Sequence, residues 1–198
     1  MIAILDYGSG NLRSVQRAFA TASREVIVTS DPQVCERAKG LVIPGVGAFA
    51  ACMNQLRAIN GGEIIESHIA VGKKILGICV GMQILFNKGF EKITSQGLGI
   101  LKGNVELLPA KILPHIGWNQ VETGENSTLF NGIERERFYF VHSYGVLNPV
   151  DDALNSYTDY EGRFISAVET KLVSAVQFHP EKSSAAGMKL IRNWVESL

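Results

Sequence analysis

The segment that most constrains the fold is Gly77-Ile78-Cys79-Val80-Gly81, set between the run Lys74-Ile75-Leu76 and the run Met82-Gln83-Ile84-Leu85-Phe86. It reads as a buried strand, a sharp turn carrying one cysteine, and a helix. That is the layout of a nucleophile elbow with cysteine in the place of serine. Glycine two residues to either side leaves space in a strained turn that has no room for a Cβ. A cysteine raised onto a helix N-terminus is favoured as thiolate by the helix dipole. Cys79 is therefore the candidate nucleophile, with a small buried core cysteine as the plain alternative.

The segments before the elbow alternate between strand and helix. Ile2 to Leu5 reads as a strand ending at Asp6, and Gly8-Ser9-Gly10 turns into a helix from Leu12 to Ala22. Glu25 to Thr29 is a second strand, stopped by Ser30-Asp31-Pro32, and Leu41 to Ile43 is a third, ending at Pro44-Gly45-Val46-Gly47. Helical patterns follow from Ala48 to Ile59 and from Glu63 to Val71, split by Gly61-Gly62, before strand four delivers Cys79. Apolar strands alternating with helices predict an α/β fold with a mostly parallel central sheet covered on both faces. The second half changes character. Asn104 to Leu108, Phe138 to Val141, Phe164 to Val168 and Leu172 to Val176 read as antiparallel additions to that core, and a closing helix spans Ser184 to Ser197. No repeat or linker divides the chain, so one domain over 1–198 is expected.

Lysine plus arginine equals aspartate plus glutamate at 19 each, which leaves no basic footprint for nucleic acid or an anionic membrane. No apolar run is long enough to span a bilayer, and Met1 to Asp6 lacks the basic region of a signal peptide. Cys35, Cys52 and Cys79 form an odd, scattered set without metal-type spacing. That pattern points to a reducing, cytoplasmic setting with no metal and no disulfide framework.

A thiolate nucleophile needs a base, and the base needs an orienter. Gln177-Phe178-His179-Pro180-Glu181-Lys182 supplies both, since the proline restricts the backbone so that Glu181 can reach the His179 ring. His179 would take the Cys79 proton and return it to a leaving amine, while Glu181 fixes its tautomer. Acyl transfer also needs an oxyanion hole. The N–H of Val80 is one expected donor, and the Gly45–Val46 region at the neighbouring strand end is the expected source of the second. The glycines there suggest a peptide unit that reorients to switch the hole on.

Together, Gly77 to Gln83 and Gln177 to Glu181 resemble the triad-type class I glutamine amidotransferases. Asp6-Tyr7-Gly8-Ser9-Gly10-Asn11-Leu12, Pro114-His115-Ile116-Gly117-Trp118-Asn119 and Tyr139-Phe140-Val141-His142-Ser143-Tyr144 narrow the likeness. They resemble the branch of that family whose ammonia feeds a cyclase of histidine biosynthesis. The resemblance implies a flavodoxin-like fold, a Cys79-His179-Glu181 triad acting through a glutamyl thioester, and no cofactor. It also implies a (β/α)8-barrel cyclase as heterodimer partner, which would receive the ammonia internally and make imidazole glycerol phosphate and an aminoimidazole carboxamide ribotide. By the same resemblance, Gly47, Gln83, Glu91 and the His142-Ser143-Tyr144 segment would hold glutamine. Asn11, His115, Trp118 and Lys182 would face the partner.

Gly8-Ser9-Gly10 is not a dinucleotide loop, because Arg13 stands where the third glycine belongs. Cys35 and Cys52 read as structural, and His68 as a packing or surface residue. Three other readings stay open: the glutaminase subunit of another synthase (pyridoxal phosphate or anthranilate), an elbow-cysteine redox or chaperone-like protein, and a non-catalytic scaffold subunit.

Overall fold

In the computed structural model, which describes residues 1–198, the first half follows the alternating pattern. Strands β1 (Ile2–Leu5), β2 (Val26–Thr29), β3 (Gly40–Gly45) and β4 (Lys74–Cys79) are parallel, with β1 between β2 and β3, and β3 beside β4. Helices α1 (Leu12–Ala20), α2 (Pro32–Arg37), α3 (Phe49–Ala58) and α4 (Gly61–Ala70) connect them. Ser30-Asp31-Pro32 does more than stop β2. The Asp31 carboxylate accepts from the Gln33 N–H at 2.8 Å and Pro32 opens α2, a pairing of cap and first-turn proline that starts a helix. The break between α3 and α4 falls at Asn60, with φ of +53°, and Gly61 is already helical. A Cβ at Gly61 would lie 2.4 Å from the Leu56 side chain. His68 is buried in α4, as a packing residue.

The elbow is followed by the single-turn α5 (Val80–Gln83) and then by short strands: β5 (Lys88–Phe90), β6 (Thr94–Gln96), β7 (Asn104–Leu107), β8 (His115–Gln120), β9 (Arg137–His142) and β10 (Tyr144–Gly145). Strands β11 (Leu154–Asp159), β12 (Arg163–Glu169) and β13 (Val173–Val176), a 3-10 turn at Pro180–Lys182 and helix α6 (Ser184–Glu196) complete the chain. The central sheet has seven strands in the order β11-β12-β13-β4-β3-β1-β2. Of the four segments expected as antiparallel additions to the core only β12 is one, paired with β11, a strand not expected from the sequence; the other three behave differently. β7 and β9 belong to two small separate sheets, of four and two strands. β13 is antiparallel to β12 and parallel to β4, with Val176 opposite Ile78.

That parallel pairing positions the site. Neighbouring strands lie about 4.8 Å apart, and β3, β4 and β13 run side by side in one direction. Their C-terminal ends deliver Gly45, Cys79 and the Gln177-Phe178-His179 segment to the same edge of the sheet, which is where open α/β sheets build their sites. An antiparallel β13 would have carried His179 to the opposite edge.

Strands β1, β3 and β13 are buried along their whole length, so they need cover on both faces. One helix group packs α1 on α6 through the edge-to-face pair Phe19 and Trp194, at 5.9 Å. The other packs α2 and α3 on either side of α4. An aromatic cluster then clamps β9 onto the end of β13, with Phe138 and Phe178 ring centroids 4.3 Å apart and Phe140 and Phe164 beside them.

Candidate active site

Cys79 is the last residue of β4 and holds φ of +57° and ψ of −115°, a conformation sparsely populated by any residue with a Cβ. Backbone packing enforces it. A Cβ on Gly81 would lie 1.9 Å from the Ile43 carbonyl oxygen, and one on Gly77 would lie 2.8 Å from the Gly81 carbonyl oxygen. The turn therefore interlocks with β3 at glycine-only distances. The helix it opens has only four residues, so its dipole is small, and the nearest strong positive group is a side chain.

That side chain is His179. Alternation beyond β13 sends Phe178 into the aromatic cluster and leaves Gln177 and His179 facing Cys79. The His179 Nδ1 lies 2.8 Å from Glu181 Oε1, and both side chains are almost completely buried. Burial opposes a charge on His179. Hydrogen bonds to Cys79 and Glu181, with the negative charge of both, outweigh it and lift the imidazole to about 9. The backbone around it is equally fixed: His179 N–H donates to the Tyr139 carbonyl at 2.9 Å, and the Ser183 hydroxyl donates to the His179 carbonyl at 2.7 Å.

Cys79 and His179 open into a cavity of about 300 Å³, lined also by Val46, Gly47, Val80, Gln83, Glu91, Val141, His142, Ser143, Tyr144 and Lys182. The residues expected to hold glutamine thus come together around the nucleophile. Glu91, drawn from what reads as an ordinary loop, directly follows β5 and reaches the cavity wall. Gln83 is only 3% exposed, and its amide nitrogen is committed to the Tyr144 carbonyl at 2.9 Å and the Gln177 side-chain oxygen at 3.0 Å. Gln83 therefore offers the cavity an acceptor and no free amide donor.

The expected oxyanion donors divide. Val80 opens α5 at the cavity wall, where an N–H has no intrahelical partner. The Val46 N–H, in contrast, points inward and donates to the Ser9 hydroxyl oxygen at 3.1 Å. The Val46 carbonyl is held as well, 3.1 Å from Ser9 Oγ and 3.3 Å from the Cys52 thiol. Gly45 is wedged beneath: a Cβ there would lie 2.5 Å from the Gly81 nitrogen. Val46 as a donor to the cavity is thus corrected for this conformation, because a buried hydroxyl already receives its N–H. Cys52 is structural as expected, and Ser9, 6% exposed, turns inward from a loop whose Gly8 and Asn11 are exposed.

Among the residues expected at a partner surface, Asn11 is exposed and caps α1 by accepting from the Ser14 N–H. Trp118 is 47% exposed on β8, edge-on to Tyr139 at 6.2 Å, and the Lys182 ammonium stands 5.9 Å over the same Tyr139 ring. His115 is corrected: it is 3% exposed, stacked between Phe140 and Tyr160, and lies behind the cavity wall. Alternation along β8 turns Ile116 and Trp118 outward and His115 inward. Sequence reasoning missed the roles of Gln177, Ser9 and Val141. Gln177 stood two residues before His179, and strand alternation was the signal that would have aimed it at Cys79.

A strand-end cysteine, a buried imidazole–carboxylate pair and the Val80 N–H thus meet at one edge of a flavodoxin-like sheet. Residues 3–198 match the family glutamine amidotransferase class-I, and the chain belongs to that family. Within it, the chain is 52% identical over 207 residues to the imidazole glycerol phosphate synthase subunit HisH of Corynebacterium efficiens, covering 100% of this chain and 98% of that one. It is 48% identical over 207 residues to the HisH subunit of Thermobifida fusca, with the same coverage. Among solved structures, a glutamine amidotransferase superposes with a TM-score of 0.79 at 18% identity, over 99% of this chain and 97% of the other. PurLQS from Thermotoga maritima gives 0.71 at 20% identity, over 98% and 97%. These two likenesses speak to the fold. No helix is long and apolar enough to cross a membrane.

Proposed function

We propose that the chain is the glutaminase subunit of an imidazole glycerol phosphate synthase, releasing ammonia from glutamine for a cyclase partner in histidine biosynthesis. The observation that carries the chemistry is Cys79 at φ +57°, facing an imidazole held by Glu181 at 2.8 Å and opening into a cavity sized for an amino acid. The Cys79 sulfur attacks the glutamine carboxamide carbon, and the carbonyl π pair moves onto oxygen beside the Val80 N–H. Collapse breaks the C–N bond while His179 gives its proton to the leaving nitrogen, so ammonia departs and a γ-glutamyl thioester remains. Water then attacks the thioester as His179 takes its proton, and C–S cleavage returns the thiol and glutamate. The branch assignment draws on the HisH relatives at about half identity over full length.

A (β/α)8-barrel cyclase would seat on the face carrying Ile116, Trp118, Tyr139 and Lys182. Ile116 and Trp118 stand side by side on its outward side, 58% and 47% exposed. Val141 and Lys182 join that face to the cavity wall, so ammonia leaving the site would meet the partner before bulk water. A heterodimer with an internal ammonia path, working in the cytoplasm, follows from this reading.

The test is glutamate release from glutamine by the chain alone, with the cyclase partner, and with the cyclase and its nucleotide ligand. Release that rises in the liganded complex and disappears in Cys79→Ala supports the proposal; equal release from Cys79→Ala overturns it. The acylation rate should fall as pH rises through about 9, because the imidazolium that protonates the leaving amine is lost there.

A further inference from the structure

Five side chains, four of them buried, join into one hydrogen-bond chain whose direction is fixed at every link. It begins at the half-buried Asn119. That amide oxygen accepts from the Gln120 N–H at 2.8 Å, so its nitrogen is the donor, to the Asp159 carbonyl at 2.9 Å and toward His115 Nε2 at 3.4 Å. His115 Nδ1 lies 3.1 Å from His142 Nε2, and His142 Nδ1 lies 2.9 Å from the Tyr144 carbonyl. A carbonyl only accepts, so the His142 proton is on Nδ1. Burial, opposed in His142 by the Tyr144 bond, holds both rings near 4 and therefore neutral at physiological pH. Neutral His142 then presents a bare Nε2, which requires the proton of His115 on Nδ1. The same Tyr144 carbonyl accepts from Gln83 Nε2, whose other N–H goes to Gln177 Oε1. That leaves the Gln177 amide nitrogen facing Cys79 Sγ at 3.9 Å, a long contact as hydrogen bonds to sulfur are.

We propose that Gln177 is a fixed hydrogen-bond donor to the Cys79 sulfur, aimed by Gln83, and that His142 and His115 are positioning residues that hold the shared Tyr144 carbonyl from the other side. The alternative orientation is closed. A flipped Gln177 would set its own N–H groups against those of Gln83 and turn an oxygen toward a developing thiolate. At 0% exposure, no water replaces either lost bond. The consequence for turnover rests on the glutaminase reading; the contact at the sulfur does not.

Iodoacetamide alkylates a thiolate without glutamine, so its rate at Cys79, read by peptide mass in the full chain, reports the donor directly. Gln177→Leu should label about tenfold more slowly at neutral pH than wild type, and lose about tenfold in glutaminase kcat with KM within about twofold. Labelling that superposes on wild type overturns the proposal. A second measurement stands even if that variant fails to fold: nitrogen-15 NMR of wild type should show His115 and His142 as neutral Nδ1–H tautomers. An Nε2–H tautomer at His142 leaves the Tyr144 carbonyl without its histidine donor and overturns the positioning role of His142 and His115. Slower labelling of Gln177→Leu in a protein that releases no glutamate would keep the sulfur donor and overturn only the glutaminase reading.

Discussion

Two kinds of backbone meet at the cavity, and they are fixed by different means. The turns that present Cys79 and His179 are interlocked atom against atom: a Cβ on Gly81 would meet the Ile43 carbonyl oxygen at 1.9 Å, and one on Gly187 of α6 would meet the Pro180 carbonyl oxygen at 1.9 Å. Gly45 is wedged against the Gly81 backbone and belongs with the elbow, but the strand end beyond it is held by side chains, through Ser9 and Cys52 on Val46. Close packing leaves no second arrangement without separating the elements, whereas hydrogen bonds exchange for others at about 1 kcal/mol each. The nucleophile, the base and the Val80 N–H are thus set once, and the Val46 peptide is the part of the cavity wall held by exchangeable bonds.

The comparison breaks first at Gly81. Gly81→Ala should cost about 3 kcal/mol or more, since the new methyl can fit only if β3 and the elbow part. The corresponding fall in Tm is roughly 10 °C, measurable by thermal unfolding, and glutaminase activity should go with it. A variant of wild-type stability would mean that the elbow is not locked by backbone contact.

What the sequence made legible has the same division. The elbow and the His179–Glu181 pair are local: strand, turn and helix follow one another, and the imidazole partner is two residues away. The direction of β13 was not local. A short apolar strand after a hairpin pairs antiparallel with the strand before it, and nothing in Val173 to Val176 announces that its other neighbour is β4, with which it runs parallel. β5 has only three residues, and β8 turns its apolar Ile116 and Trp118 outward around Gly117, so neither shows an ordinary apolar buried face. The Ser9–Val46 bonds join residues 37 apart in the chain. The resemblance set His115 at a partner surface, and its burial was not legible because it depends on Phe140 and Tyr160, which arrive from other parts of the chain.

Ser9 sharpens the comparison at the movable end. Ser9→Ala removes the acceptor that receives the Val46 N–H in a half-buried place, which disfavours the inward conformation. The expected result is a partner-free glutaminase kcat about tenfold above wild type, with a smaller further gain when the liganded cyclase is added. Labelling of Cys79 by a glutamine-shaped chloroketone, whose carbonyl becomes an oxyanion on attack, should accelerate in parallel. An unchanged or lower kcat in the folded variant would show that the Val46 peptide does not limit the hole.

The smallest effect isolates what glycine contributes without crowding. Gly47 sits at φ of +89°, and a Cβ there would meet nothing within 4 Å. Gly81 is the opposite case, with helical backbone and no room. Adding the same methyl at Gly47 therefore costs only the left-handed backbone, about 1 kcal/mol, or some 2–4 °C in Tm for a chain of this size. Gly47→Ala should fold and unfold cooperatively at that slightly lower temperature. A loss as large as that of Gly81→Ala would mean that the Val46–Gly47 end is packed as tightly as the elbow, and that the contrast between a locked nucleophile and an adjustable strand end is wrong.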